Sequence, residues 1–146
     1  MIEEKAKSIL QLERMAFEEI QFNRNPAISL PTIEYEMRFT RDVGTSEDGD
    51  HFMVRLTANL WSKTQGILSL KIALTGYFFC SCEDTALKES LINYNSIAIL
   101  FPYIRSQISL ITAQPDLTPI VLPPVNIVAM FENADSPSKI ETEENQ

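Results

Sequence analysis

A chain of 146 residues, 45% apolar and 22% charged, has the size and composition of one ordinary domain that buries a core without metals or bridges. Twelve basic against twenty acidic residues leave a net charge of −8, and no Lys/Arg cluster offers the basic face that a phosphate backbone needs, so nucleic acid is excluded as a partner. The strongly apolar stretches are strand-length or broken by Pro and charge, which excludes a membrane-spanning helix.

The N-terminus opens Met1-Ile2-Glu3-Glu4-Lys5, too acidic and too polar for a signal peptide, so the expected compartment is the cytoplasm. Residues 1–12 read as a frayed short helix or a disordered arm. Glu13–Asn23 is ambiguous, with Ile20 and Phe22 alternating with polar residues as a strand would. Thr32–Arg41 alternates cleanly, Ile33, Tyr35, Met37 and Phe39 against Glu34, Glu36, Arg38 and Thr40. Asp42–Asp50, with Gly44 and Gly49 among acids, reads as a long loop.

Phe52–Trp61 and Leu68–Phe78 are two further alternating strands around the loop Ser62–Gly66. A hairpin pairing Leu60 with Leu68, Leu56 with Ile72 and Val54 with Leu74 sets every apolar residue of one strand against one of the other. The opposite face then carries Trp61, Tyr77, Phe79, Met53 and Ile67. Cys80 and Cys82 would share one face of the strand, poorly placed for a disulfide, and read as small buried hydrophobes.

After Cys82 the period becomes helical. Thr85–Asn93 reads as a short helix. Ile97, Leu100, Phe101, Ile104, Ile108 and Ile111 form the stripe of a main helix, expected from Pro102 to Gln114 because proline belongs in a first turn. Pro115 and Asp116 stop it. Leu117–Pro124 is extended, and Asn126–Phe131 reads as a short closing helix capped by Asn126. From Glu132 to Gln146 five acids face one lysine, so residues 134–146 are expected to be a disordered acidic tail after a domain spanning 13–133. The fold class is therefore α+β, a four-stranded antiparallel sheet followed by a main helix and a short C-terminal helix.

Catalytic chemistry has little to stand on. His51, beside Asp50, is the one histidine and has no evident nucleophile, and four glycines form no phosphate-cradling array. Neither a cofactor nor a metal is expected, and the reading is of a protein that binds rather than an enzyme. The alternatives are a small-molecule or lipid carrier with a pocket between sheet and helix, and a thioesterase-like enzyme with His51 as base.

At Ile99-Leu100-Phe101-Pro102-Tyr103-Ile104-Arg105 the chain resembles the SecB family of protein-export chaperones, which carries I-L-F-P-Y-x-R at the start of its main helix. Pro124-Val125-Asn126, with Ala129 and Phe131 in step, is similar to the family's second motif at the same spacing. Arg14–Phe22 resembles its first strand, and Gly76 matches the second of its paired glycines, Thr75 replacing the first. The resemblance implies an ATP-independent holdase, a homotetramer built as a dimer of dimers, that holds non-native polypeptide clients in hydrophobic grooves and passes them to the export motor SecA, or that serves a dedicated client such as an antitoxin. By position, Ile33, Tyr35, Phe39, Phe101 and Phe131 would line the groove, with Trp61 and Tyr77 as further candidates. Tyr103, Ile104, Gln107, Ile108, Leu110 and Ile111 would meet a partner subunit. The motor-contact surface would include Glu19, Asn23, Ser69 and Lys71, where Lys71 replaces a glutamate, Ser69 a leucine and Asn23 an acid.

Overall fold

The computed structural model describes residues 9–29, 32–64, 66–131 and 138–141, the side chains of 127, 128 and 138–141 excepted. The alternating segments form four long strands, β1 (Leu10–Arg24), β2 (Tyr35–Thr45), β3 (His51–Ser62) and β4 (Leu68–Cys80). A helical run follows: α1 (Thr85–Ser90), a π-helical turn (Leu91–Asn95), α2 (Ser96–Thr112) and α3 (Ile127–Met130). One antiparallel sheet has the order β1-β4-β3-β2-β5, where β5 is a short strand at Ser138–Glu141. The four expected strands are thus joined by a fifth on the edge of β2, inside a segment expected to be a disordered tail. The expected arm also gives up Leu10–Leu12 to β1. Residues 1–8, 132–137 and 142–146, on which the rest of the arm and tail expectations fall, lie outside the described residues.

The hairpin forms with a register shifted by two. Leu60 faces Leu70, Leu56 faces Leu74 and Val54 faces Gly76. Because side chains repeat every two residues, this shift leaves the same side chains on the same face. The longer loop has its own bonds: the Ser62 hydroxyl donates to Thr64 O (2.6 Å) and accepts from Leu68 N–H (3.1 Å), while Gly66 turns at a φ of 85°. Ile67, expected on the opposite face, instead precedes β4 and is buried in the core. The expected loop at 42–50 shrinks to a turn after Thr45, since Asp42–Thr45 pair with Phe52–Arg55.

β1 explains its own ambiguous pattern. Register shifts between Leu12 and Arg14, and again between Phe17 and Glu19, insert one extra residue each, Glu13 and Glu18. Strict alternation therefore becomes Leu12, Met15, Phe17, Ile20, Phe22 on the helix-facing side, a spacing neither strand nor helix templates capture.

α2 lies across the sheet on that side. Ile97, Leu100, Ile104 and Ile108 have no exposed surface, and they pack with Met37, Phe39, Leu56, Ile72, Leu74 and Phe78. These side chains fill the space in which a carrier would need its pocket. Pro102, expected in the first turn, lies inside α2. Its ring removes the bond to the Ala98 carbonyl, and both residues are exposed, on the side of the helix where a lost bond is least costly. Closure of the core continues beyond the helix. The Thr112 hydroxyl accepts from Ile120 N–H (2.8 Å) and the Ser109 hydroxyl donates to Ile120 O (2.8 Å), which seats Leu117, Ile120 and Leu122 inside. Asn126 caps α3 through Ala129 N–H (3.1 Å). Cys80 is buried and its thiol pKa is pushed up by desolvation, whereas Cys82 lies half-buried past the strand end; both are free.

At the β2–β3 turn, Asp48 Oδ2 meets His51 Nδ1 at 2.7 Å, and Glu13 stands 3.9 Å from the other ring nitrogen. The hydrogen bond from Asp48 raises the exposed His51 above its ordinary 6.5, with the Asp48, Glu13 and Asp50 charges acting in the same direction. Asp48, bonded by Ser46, by the Asp50 amide and by His51, is held below its ordinary 3.8.

Two predictions follow from the packing and the turn. A Cβ at Gly76 would stand 2.7 Å from the Phe78 ring and 2.8 Å from a Leu100 methyl, whereas at Gly44 the nearest atom is a flexible Met53 methyl at 3.6 Å. Gly76→Ala should cost about 1–3 kcal/mol in chemical denaturation, as overpacking does, and Gly44→Ala should be close to neutral. Protonated His51 supports the turn fully below its unfolded pKa, and that support is lost as pH rises through the raised folded value. Asp48 contributes above its unfolded value and loses this as pH falls. Melting curves between about pH 5 and pH 8 should show the alkaline loss in the native chain and not in His51→Gln.

Candidate functional site

Five of the groove candidates are core residues in the protomer. Ile33, Tyr35, Phe39, Phe101 and Phe131 each expose 7% or less of their surface. β2 alternation turns its apolar row toward α2, where Phe39 meets Phe101 edge-on at 5.6 Å between centroids. The candidates do converge, since β2, α2 and the end of α3 bring them to one side of the sheet. Arg41 marks the boundary of this cluster. Its guanidinium lies over the Phe131 ring at 4.4 Å and the Tyr94 ring at 5.4 Å, and donates to Asn93 O at 2.7 Å. Partial burial lowers the Arg41 pKa, an effect partly opposed by Tyr94. Cation–π contact offsets some of that desolvation.

Trp61 and Tyr77 lie half-buried on the other, open face, at opposite ends. Trp61 pairs with Ser69 in register, and Tyr77 with Met53. Eight residue steps along β4 from Ser69 to Tyr77 separate them by roughly 27 Å at the usual strand rise. Trp61 Nε1 donates to Glu36 (3.1 Å), and Arg14 lies 3.9 Å over the Tyr77 ring. They do not form one aromatic site, because the sheet between them is polar.

That middle ground is a cleft of about 390 Å³ whose lining includes Glu18, Glu19, Asp42, Arg55 and Lys71. The bulge at Glu18 aims its carboxylate back over the sheet, where Arg55 grips both oxygens (2.9 and 3.2 Å) and the Thr75 hydroxyl donates to it. Bonds from Thr75 and then Arg55 hold Glu18 below the ordinary carboxylate range, and Glu18 in turn raises Arg55. The four motor-contact candidates gather beside it. Asn23 is paired with Ser69, and Lys71 Nζ stands 3.4 Å from Glu19. Glu19, the acid this surface retains, is therefore matched by the lysine that replaces another acid.

The interface candidates split by face. Ile104 and Ile108 are fully buried on their own sheet, so they are unavailable to a partner subunit. Gln107 and Ile111 are half-buried. Tyr103 is 46% exposed and Leu110 66% exposed, one above the other at helical spacing. Val121, also 66% exposed, extends the apolar surface beyond the helix. Sequence reasoning missed Val121, although its flanking by the buried Ile120 and Leu122 is an alternating signal. It also missed a cleft of about 340 Å³ where α1 meets the β2–β3 hairpin, lined by Val43, Phe52, Ile92 and the stem of Lys88, whose ammonium bonds Asp50 (2.9 Å). Among the described residues no group of three or more His, Cys, Asp or Glu side chains could hold a metal ion, and no helix is long and apolar enough to cross a membrane.

The comparisons with known proteins agree with this architecture. An uncharacterized protein of Methanocaldococcus jannaschii is 35% identical over 77 residues, 53% of this chain, and the chain spans about half (50%) of that relative's length. The protein-export protein SecB of Magnetococcus marinus is 24% identical over 132 residues, covering 86% of this chain and 84% of that one. Among solved structures, the Rv1957 SecB-like chaperone of Mycobacterium tuberculosis, in complex with a ChAD peptide from the Rv1956 HigA1 antitoxin, shares the fold. Its TM-score is 0.67 at 16% identity, over 84% of this chain and 92% of that one. The profile of the preprotein translocase subunit SecB matches residues 8–137. With that match covering the whole of the main sheet and the helices laid across it, the chain belongs to the SecB family.

Proposed function

We propose that this protein is a cytoplasmic, ATP-independent holdase that binds extended, non-native polypeptides, and that its client is a dedicated one such as an antitoxin. The carrying observation is the second apolar face of α2. One face of the helix is spent on the sheet, yet Tyr103 and Leu110 on the other, with Val121 beside it, leave large apolar groups in water. Covering such groups is worth about 25 cal/mol per Å², whether the cover is a client or a partner subunit. The antitoxin peptide bound by the structurally similar mycobacterial protein supports the choice of client.

Assembly follows from the same surface. Two subunits meeting across α2 would bury Tyr103, Gln107, Leu110 and Ile111, and a pair of such pairs makes the homotetramer. The groove rings then serve at the rim of the core: a client reaches Phe131, and Phe101 beside it, when the Arg41 guanidinium that lies over Phe131 moves aside. Export through SecA is the weaker arm of this proposal. A motor that docks by charge on the open face meets a Glu19 already paired with Lys71, so encounter and specificity there are reduced.

Two outcomes are expected. Added without nucleotide at near-stoichiometric tetramer, the protein should suppress light scattering by aggregating clients; unchanged scattering across several unrelated clients would remove the holdase reading. Leu110→Glu should shift native mass spectra from tetramer toward dimer or monomer with little change in melting temperature, because the side chain is mostly in water in the protomer.

A further inference from the structure

We infer that Arg41 and the apolar cleft beside it set which segments this protein holds: the cleft takes a large apolar side chain, and the guanidinium takes a carboxylate two residues away on the same client. The inference rests on the holdase reading and deepens it by naming the class of segment recognised.

Arg41 carries a charge that its surroundings leave unanswered. Arg24, Arg55, Lys71 and Lys88 each stand within ion-pair distance of a carboxylate. Arg41 is half-buried, yet among the described residues no carboxylate comes that close to it. Its polar partners are neutral, the Asn93 carbonyl at 2.7 Å and the Tyr94 side chain. Ring faces supply the rest, Phe131 at 4.4 Å and Tyr94 at 5.4 Å. They attract a cation without neutralising it. A partly desolvated cation with only neutral partners gains most from an anion brought to it. The lowering of its pKa by burial agrees with a charge held at a cost.

The cleft lies next to this charge. Val43, two positions along β2 on the same face, is 39% exposed and forms the wall of the cleft of about 340 Å³ where α1 meets the β2–β3 hairpin. Asn93, whose carbonyl Arg41 holds, lines the same cleft. Val43, Phe52 and Ile92 make an apolar lining with room for one large side chain. Lys88, the cleft's own cation, is already satisfied by Asp50 (2.9 Å) and by the Gly49 carbonyl (2.7 Å). Glu89 on the rim is exposed and screened by water. An entering anion is therefore drawn to the Arg41 end.

Spacing fixes the motif. Arg41 and Val43 are separated by roughly 7 Å at the usual strand rise, the distance between residues i and i+2 of an extended client, whose side chains also share a face. An apolar anchor over Val43 thus leaves an acid over Arg41. Recognition is by side chains on the helix-facing side and needs no strand pairing. The planar guanidinium fork matches a carboxylate with two parallel bonds, which an amide or an ammonium group on the client cannot reproduce. With a net charge of −8, the whole chain attracts basic segments at long range, so a preference for an acid runs against the global field and reports the local cation.

The test uses the full chain and three fluorescent unfolded peptides, identical except for Glu, Gln or Lys two residues from a single phenylalanine. The native chain should bind the Glu peptide about tenfold more tightly than the Gln peptide, with the Lys peptide weakest. Arg41→Gln should remove this ranking with little change in affinity for the Gln peptide. Arg41→Lys, which keeps the charge and loses the fork, should give an intermediate ratio and provides the readout if Arg41→Gln melts at a lower temperature. Val43→Ser should weaken the Glu and Gln peptides alike and leave their ratio intact. Amide replacement of Glu132 and Asp135, the acids nearest Phe131 in sequence, should also leave the ratio intact. Equal binding of the Glu and Gln peptides, a ranking that survives Arg41→Gln, affinities untouched by Val43→Ser, or a ratio changed by the two amides would each overturn the inference. Aggregation suppression by the same chains separates the claims. Suppression with no charge ranking condemns this inference alone, whereas no suppression and no peptide binding condemns the holdase reading with it.

Discussion

Everything in this fold depends on how closely α2 can approach β4. At Gly76 the absence of a side chain lets the Leu100 methyl and the Phe78 ring sit where a Cβ would be, within 2.8 Å. That contact seats the helix flat on the sheet and buries Ile97, Leu100, Ile104 and Ile108 completely. Because a helix has faces, a helix pressed this firmly onto one sheet presents its remaining apolar residues outward. Tyr103 and Leu110 are exposed as a consequence of the packing that stabilises the protomer, so the outward apolar surface and the core are two sides of one constraint.

The sheet divides its two faces with equal economy. Toward α2 it is apolar in every strand. Toward solvent its centre is a network of Glu18, Arg55, Thr75, Glu19 and Lys71, built in part from the extra residue of a β1 bulge. Charged and hydrogen-bonded groups satisfied among themselves make a poor site for an unfolded apolar segment, whose arrival would strip them of water. Under the proposed holdase role, that leaves the helix side to apolar clients and the open face to polar encounter.

How much of this was legible depended on period. β2, β3 and β4 alternate strictly and read correctly from the sequence, including which side chains face inward. Their register did not, since a slip of two residues changes no face, and the Ser62 bonds and the positive φ of Gly66 in the connecting loop accompany the register found. β1 was ambiguous because two bulges change its spacing. α2 was expected to start at Pro102, yet it begins at Ser96, because a proline on an exposed helix face is tolerated where the same ring would not be in the core. The burial of the groove candidates in the protomer was not legible for a different reason. Phe39, Phe101 and Phe131 were chosen by resemblance, and no sequence pattern tells a core ring from a groove ring when both lie on the same apolar row. β5 was hidden by its acidic surroundings, in which Ile140 is the single bulky apolar residue.

The account therefore makes a SecB-family subunit whose main helix is proposed to spend one face on its own sheet and the other on a partner subunit, with the client held beside it, at Val121 and at the Phe101 and Phe131 rings near Arg41. Its most direct test is the footprint of a bound, permanently unfolded client, read by amide and methyl shifts along the whole chain. Binding should perturb Val121, Phe101, Phe131 and Arg41, and leave Glu18, Arg55 and Thr75 unchanged. A footprint confined to the polar centre of the open face, with α2 and β2 silent, would contradict it.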